Sequence, residues 1–533
     1  MKDYLSGDLE ALKAAAPGVD LVCMGPVATQ PATAVSGAPG PAHELRTLIL
    51  SRHPAIVIET AEEERVDSLL AAVCPELKLG RFVWTVTRGL RRVPDAGAAY
   101  ESDDPAKALA AIGEMAPEAV FELRDFSRYL DKPELSRAFR ELLARLSAPS
   151  RMSTVVLVGA RIELPAEVEP HVVRLELNFP SHDEYRRTLS AVTDSLSLTG
   201  RAHVEVGASE LDGFARAVSG MTLNQARQAV ARVAIEDGRL SADDVGRITG
   251  LKAESLKQDG LLEFWPPADN NHELGGFASL ERWLDRARVG FSEQAAELNL
   301  TPPRGVLLVG VQGCGKSLAA KAIARRWQLP LLKLDAGRLY DKYIGETERN
   351  LRRAIGTAES MAPAVLWIDE IEKAFATGGG GDTDGGLSRR VLGTFLTWLQ
   401  EKRAPVFVVA TANDLSILPP ELLRKGRFDE IFFVDLPDAA ERAEIFAIHL
   451  GLRRQDAAAF DSARLVAASE GFSGAEIEQA VIASLLGALH EGRALDTDAV
   501  VTELAATVPL SVTRAEDVAH LREQARERFV AVR

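Results

Sequence analysis

Cysteine is scarce in this chain of 533 residues: there are three, Cys23, Cys74 and Cys314. Three thiols cannot build a disulfide framework, and no two of them stand at a metal-ligand spacing. That scarcity fits a reducing compartment. Long apolar runs are missing as well. No stretch approaches the ~20 residues that cross a bilayer, and the opening MKDYLSGDLEALKAAAPG carries acids where a secretory signal needs an apolar core. The expectation is a cytoplasmic protein without a transmembrane segment. Positive charge is in deficit: 62 Lys plus Arg stand against 77 Asp plus Glu, a formal net charge of −15. A protein that coats nucleic acid needs a basic surface against the phosphates, so no specific nucleic-acid partner is expected. The metalloprotease pattern H-E-x-x-H does not occur. What remains is ordinary for a globular protein, with 46% hydrophobic and 26% charged residues.

Composition shifts suggest where domains begin and end. Residues 1–44 include an Ala/Pro/Gly-rich stretch with little charge, which reads as a flexible leader. Residues 45–250 read as one α/β domain, and 251–272 as a linker broken by Pro266-Pro267. From 273 to 437 apolar strands alternate with helical patterns, the signature of a parallel sheet. Residues 438–505 are mostly helical, and 506–533 read as a charged C-terminal helix.

The chemistry is concentrated in the fourth of these segments. RGVLLVGVQGCGKS runs an apolar strand into Gly310, Val311, Gln312, Gly313, Cys314, Gly315, Lys316 and Ser317, and Leu318 continues into a helix. This is G-x-x-x-x-G-K-S in its required setting of strand, loop and helix. The glycines let backbone N–H groups curl around phosphate oxygens, and the helix N-terminus favours negative charge. Lys316 reaches the β- and γ-phosphates in such a loop, and the Ser317 hydroxyl binds Mg²⁺. Downstream, AVLWIDE closes a buried strand on Asp369 and Glu370. Carboxylates at the C-terminal edge of a parallel strand lie where ligands bind in open α/β sheets. Asp369 is read as part of the magnesium shell and Glu370 as the residue that orients the attacking water. VFVVATAND ends another strand at Asn413, whose amide can hold the same water or simply form a turn. Arg424 and Arg427 then precede a further strand. Phosphoryl transfer needs cationic charge on the γ-phosphate, and the site holds no obvious local arginine. Spacing alone leaves open which of the two supplies it from a neighbouring subunit, and a surface salt bridge is the alternative.

Taken in order, GVQGCGKS, LWIDE, ATAN and LLRKGRFDE resemble the AAA-type (AAA+) ATPases. The resemblance implies a P-loop module of a five-stranded parallel sheet plus a helical lid, binding ATP and Mg²⁺. It implies that ELGGF, with Gly275 and Gly276, lies over the adenine, and that GFSGAEIE, with Gly474 and Ala475, opens the lid helix. Gly474-Ala475 in place of an arginine is similar to the branch that contains protein-unfolding ATPases. Val311-Gln312 and Cys314 depart from the usual Pro-Pro and Thr, at positions that need not touch phosphate. The loop, the N-terminal half and the ending PLSVTRAEDVAHLREQARER resemble one narrower group, the hypothetical chloroplast reading frame forty-six type of plastids and bacteria. In remodelling members of the family an aromatic–aliphatic–Gly tip lines the channel of a hexamer. Tyr343, Ile344 and Gly345 stand at that position, although Tyr343 packing under its own loop is the alternative.

The N-terminal half repeats the order of elements without the chemistry. PAIVIETAEEERVDSLL stands where the phosphate strand, loop and helix belong, with Glu59-Thr60-Ala61-Glu62 replacing the glycine loop. EAVFELRDF parallels PAVLWIDEI, and Phe126 is read in place of the catalytic glutamate. Glu169-Pro170-His171 stand where the arginines would be. This half is expected to be a degenerate AAA-like domain that binds no nucleotide, with an unrelated α/β domain as the alternative. The functional expectation is an Mg-ATP-dependent ring ATPase, a hexamer, that remodels or unfolds a protein client. The rival expectations are an ATP-switched scaffold that threads nothing and a nucleic-acid motor.

Overall fold

A computed structural model describes residues 40–94, 102–115, 118–147, 152–266, 276–339, 346–375, 385–424, 426–526 and 528–532. Two sheets dominate it. The first is built by β1 (Ala55–Glu59), β2 (Gly80–Thr85), β3 (Gly89–Val93), β4 (Ala119–Arg124), β5 (Thr154–Gly159) and β6 (Val172–Arg174), in the spatial order β3-β2-β4-β5-β1-β6. Helices α1 (Pro41–Leu50), α2 (Glu63–Glu76), α3 (Pro105–Glu114) and α4 (Pro133–Leu146) accompany it. The apolar runs AIVIE and TVVLVG are buried almost throughout, as parallel strands covered on both faces must be. Two apolar clusters sit on this sheet, one around Phe121, Phe126 and Phe139 and one around Leu45, Ile49 and Val66.

Four helices follow: α5 (His182–Leu198), α6 (Ala208–Val218), α7 (Leu223–Asp237) and α8 (Val245–Asp259), with the short paired strands β7 (His203–Val204) and β8 (Arg239–Leu240). They have their own core around Tyr185, Leu189, Phe214 and Val230. The single domain expected over 45–250 is thus a sheet part and a helical part, and its first helix starts at Pro41.

The second sheet contains β9 (Leu262–Trp265), β10 (Gly305–Gly310), β11 (Leu331–Leu334), β12 (Ala364–Ile368), β13 (Val406–Ala412), β14 (Glu430–Val434) and β15 (Val530–Ala531), ordered β15-β14-β10-β13-β12-β11-β9. Its helices are α9 (Ala278–Arg288), α10 (Lys316–Trp327), α11 (Glu346–Ser360), α12 (Ile371–Phe375) and α13 (Gly385–Glu401). The lid follows as α14 (Ala439–Leu452), α15 (Ser462–Ala468), α16 (Gly474–Glu491) and α17 (Thr497–Ala506), and then α18 (Ala515–Ala525). Number the parallel strands of each sheet along the chain and both contain the order 2-3-4-1-5, with an antiparallel strand beside the second; the second sheet adds β15 as a sixth parallel strand beside the fifth. The lid helices repeat too. Capping boxes open α5 (Ser181 with Glu184) and α7 (Thr222 with Gln225), and matching boxes open α14 (Asp438 with Glu441) and α16 (Ser473 with Glu476). Each satisfies orphan N–H groups of a first turn.

Three expectations are corrected. The first part of the expected linker 251–272 is the end of α8, then β9 paired antiparallel to β11. Helix α8 places Ile248 in the N-terminal helical core and Leu256 in the second sheet's core, so one helix serves both halves. Second, the C-terminal helix ends at Ala525, and the chain returns as β15 to the sheet edge beside β14. Third, the residue in place of the catalytic glutamate is Asp125, not Phe126. Asp125 and Glu370 share a left-handed backbone, φ 52 and φ 49. Asp125 N–H donates to Val158 O, and Glu370 N–H donates to Thr411 Oγ, at matching registers. Phe126 is buried in the core instead. Among the described residues no helix is long and apolar enough to cross a membrane.

Candidate functional site

Strand β10 is buried over its whole length and delivers Gly310 to the sheet's C-terminal edge. There a Cβ would overlap the Val434 carbonyl of β14, so only glycine fits. Val311 N–H donates to that carbonyl at 3.0 Å. Gly313 (φ 80) and Gly315 (φ 87) take left-handed conformations that favour glycine. Gly315 offers no side-chain cap to α10, which leaves the first turn's N–H groups to an anion. Lys316 is buried, and its ammonium donates to Gly310 O and Val311 O, both at 2.7 Å. Burial pulls its pKa down to about 8. Of the departures from the usual loop, Val311 is buried, Gln312 is exposed, and burial pushes the Cys314 thiol up to about 12. A thiol so raised is inert rather than reactive. Leu318 is partly exposed beside Ser317.

The acids stand next to this loop. Ser317 Oγ donates to Asp369 Oδ1 at 3.1 Å, and Thr411 Oγ donates to the same oxygen at 2.6 Å. Lys333 lies 3.7 Å from the other oxygen. Glu370 is half-buried; its Oε1 accepts from Asn413 Nδ2 at 3.1 Å and its Oε2 pairs with Lys373 at 2.6 Å. Asn413 N–H donates to Glu372 Oε1 at 3.0 Å. Glu372 is buried, and burial raises its pKa above the usual carboxylate value. Ser317 and Asp369 thus present hard oxygen donors side by side, the set that suits Mg²⁺ completed by phosphate and water. Sequence reading missed Thr411 and Glu372. A lone hydroxyl in the otherwise apolar run VFVVATA was the available signal for the first. The second was the next acid after Asp369-Glu370.

The two arginines part company. Arg427 donates to Leu396 O at 2.7 Å and is committed to α13. Arg424 is exposed, and its guanidinium has no partner among the described residues. On the lid side, Ala475 N–H donates to Gly313 O at 3.0 Å, and a Cβ on Gly474 would lie 3.4 Å from the same oxygen. Gly276 (φ 83) packs so closely on Glu441 of α14 that a Cβ would come within 2.5 Å of its carboxylate. Phe277 is buried beneath Gly315. Gly275, Tyr343, Ile344 and Gly345 lie outside the described residues.

Comparison with known proteins accords with this geometry. Residues 306–436 match the model of the ATPase family associated with various cellular activities (AAA). Residues 41–177 and 183–259 match the N-terminal and second domains of SpoVK-like AAA ATPases. The AAA domain-containing protein ycf46 of Trieres chinensis is 37% identical over 472 residues, 88% of this chain and 93% of that protein. The ycf46 protein of Guillardia theta is 37% identical over 486 residues, 90% and 94%. The chain belongs to the AAA ATPase family. The Cell division cycle protein 48 homolog of Archaeoglobus fulgidus is more distant, 28% identical over 370 residues, 64% of this chain and 50% of that protein.

Within this AAA ATPase the N-terminal half has replaced the phosphate site with ion pairs. Arg124 stands where Asp369 stands in the other half. It reaches Glu122 Oε1 at 2.7 Å, Glu63 at 2.7 Å and Asp67 at 2.6 Å. Arg81 closes the network on fully buried Glu122 and on Asp67. Glu62 latches the helical part: its Oε1 accepts from Leu223 N–H of α7 at 2.7 Å, and Oε2 pairs with Arg65. In the ATPase half the loop carbonyl of Gly313 does this for α16. A carboxylate has thus taken over the latch, and acids line the loop where phosphate would have to enter.

Proposed function

We propose that the chain hydrolyses Mg-ATP as a homo-oligomeric ring, a hexamer, and uses the cycle to remodel or unfold a protein client in the cytoplasm. One observation carries the shared-site part of this reading: Arg427 is tied to its own subunit, whereas Arg424 is exposed and without a partner among the described residues. A γ-phosphate held by Lys316 needs further cationic charge as it departs, and Arg424 of a neighbouring protomer supplies it.

In the cycle so read, Lys316 exchanges the carbonyls of Gly310 and Val311 for phosphate oxygens. Ser317 and Asp369 would hold Mg²⁺, whose charge would offset the negative charge that develops on the phosphates. Glu370 orients the attacking water once it gives up one of its contacts with Asn413 and Lys373. Asn413, fixed through its N–H by Glu372, keeps Glu370 aimed. The lid, latched to Gly313 by Ala475, passes the nucleotide state to α14 and α16. The remodelling part rests on the Gly474-Ala475 lid start and on the position of Tyr343. The test is a mixture: Arg424→Ala and Lys316→Ala, each inactive alone, regain hydrolysis when combined if the arginine acts between subunits. No regain at any ratio contradicts a shared site. Pull-down with Glu370→Gln in ATP identifies the client. Tyr343→Ala, with ATP turnover kept and remodelling lost, separates a threading machine from a scaffold.

A further inference from the structure

The helical part of the N-terminal half carries a groove that neither the ATPase site nor the relict phosphate site uses. Helices α5 and α7 line a cavity of about 660 Å³ together with the start of α2. Helix α7 contributes every fourth residue from Leu223 to Ile235, and α5 contributes one face from Glu184 to Leu196. Spacing of three and four keeps each set on one side of its helix. At 1.5 Å per residue both walls run about 18 Å. The floor is aliphatic, and Ile235 is 53% exposed at its end.

The rim is cationic in a chain whose net charge is −15. Arg187 makes a 3.3 Å contact with the Asp183 carbonyl and, among the described residues, no carboxylate pair. Arg201 has no side-chain partner among the described residues. Arg227 shares the exposed carboxylate of Glu64 at 3.0 Å. The one carboxylate in the lining, Glu184, is already taken by Arg65 and by the Ser181 N–H. The trough's length of about 18 Å matches that of a helix of about 12 residues. The lining holds no aromatic ring, so single-stranded nucleic acid would lack a stacking platform. We propose that this groove docks an acidic amphipathic helix of a partner protein, its apolar stripe on the α5–α7 floor and its carboxylates on Arg187, Arg201 and Arg227.

The experiment uses the full chain and a fluorescein-labelled synthetic 14-residue helix with leucines at helical spacing and glutamates on its flanks. Saturable, salt-sensitive binding is expected. It should weaken at least about tenfold in the Arg187→Glu/Arg201→Glu variant and in Ile235→Asp, as loss of rim charge or floor burial requires. ATP turnover should stay unchanged in both. Four results overturn the proposal: no binding of the helix, equal binding of a scrambled peptide, wild-type affinity in both variants, or tighter binding of a 12-nucleotide single-stranded RNA that the same variants abolish. Dissociation of the oligomer in the variants, with peptide affinity unchanged, would assign the groove to a second copy of this chain and overturn it too.

Discussion

Lys316 is buried in a loop built for anions, and these two circumstances pull its ammonium in opposite directions. Burial alone has lowered its pKa to about 8 in the nucleotide-free loop. The lysine is therefore cationic below that pH and neutral above it, and only the cation holds phosphate. ATP affinity is expected to be flat below pH 8 and to fall about tenfold per pH unit above it. Titrating Glu370→Gln with ATP from pH 7 to 9 checks this, and a flat affinity across the range would remove Lys316 as the charge carrier. The arginines make a second pair of expectations. Arg424→Ala should bind ATP normally and lose hydrolysis by ~10³ or more. Arg427→Ala should instead lower thermal stability by about 1–3 kcal/mol, because it removes the charged hydrogen bond that ties this segment to α13. Equal hydrolytic losses with unchanged melting would reverse that assignment. Lys316, Ser317, Asp369 and Glu370 were legible in sequence because each lies in a contiguous strand–loop pattern. Thr411 and Glu372 were not, since their roles exist only where β12 and β13 run side by side.

At the scale of elements, α8 is the informative piece. It carries Lys252, which is buried against the Phe264 ring at 5.0 Å. Burial lowers its pKa from 10.5 to about 7. Between those values the unfolded chain binds more protons than the folded one, so the cost of this lysine is full below pH 7 and fades as pH rises to 10.5. Lys252→Met should stabilise the chain at pH 7 by on the order of 3 kcal/mol, with the gain shrinking toward pH 10. Melting curves at pH 7, 8.5 and 10 test it, and a pH-independent gain would mean that the lysine finds water. The residue just after the edge strand β15 carries a parallel expectation. Val532 is 4% exposed, accepts from Ser279 N–H at 2.8 Å and packs in the core behind β10. Val532→Asp should cost about 3 kcal/mol or more by burying a charge, read as a fall in melting temperature without loss of the Lys316 site. Both β9 and β15 escaped sequence reading because strands of four and two residues are too short to show a period, and their pairing partners are distant in sequence.

At the scale of the molecule, two sheets of the same strand order hold one chemistry. Nucleotide should bind once per chain, and Lys316→Ala should abolish it entirely, since Arg124 and the acids of α2 occupy the other half's site. Equilibrium dialysis with labelled ATP decides this, and residual binding in the variant would show a living N-terminal site. What the sequence determined by itself was the repeat of elements, the ATPase family and the identity of the phosphate loop. Those depend on local backbone and on residues within one strand, turn and helix. Tertiary structure alone decided that Arg424 rather than Arg427 is unengaged among the described residues, and that α8 is shared by both cores. Each of these turns on register or packing between segments far apart in the chain, which no local pattern encodes.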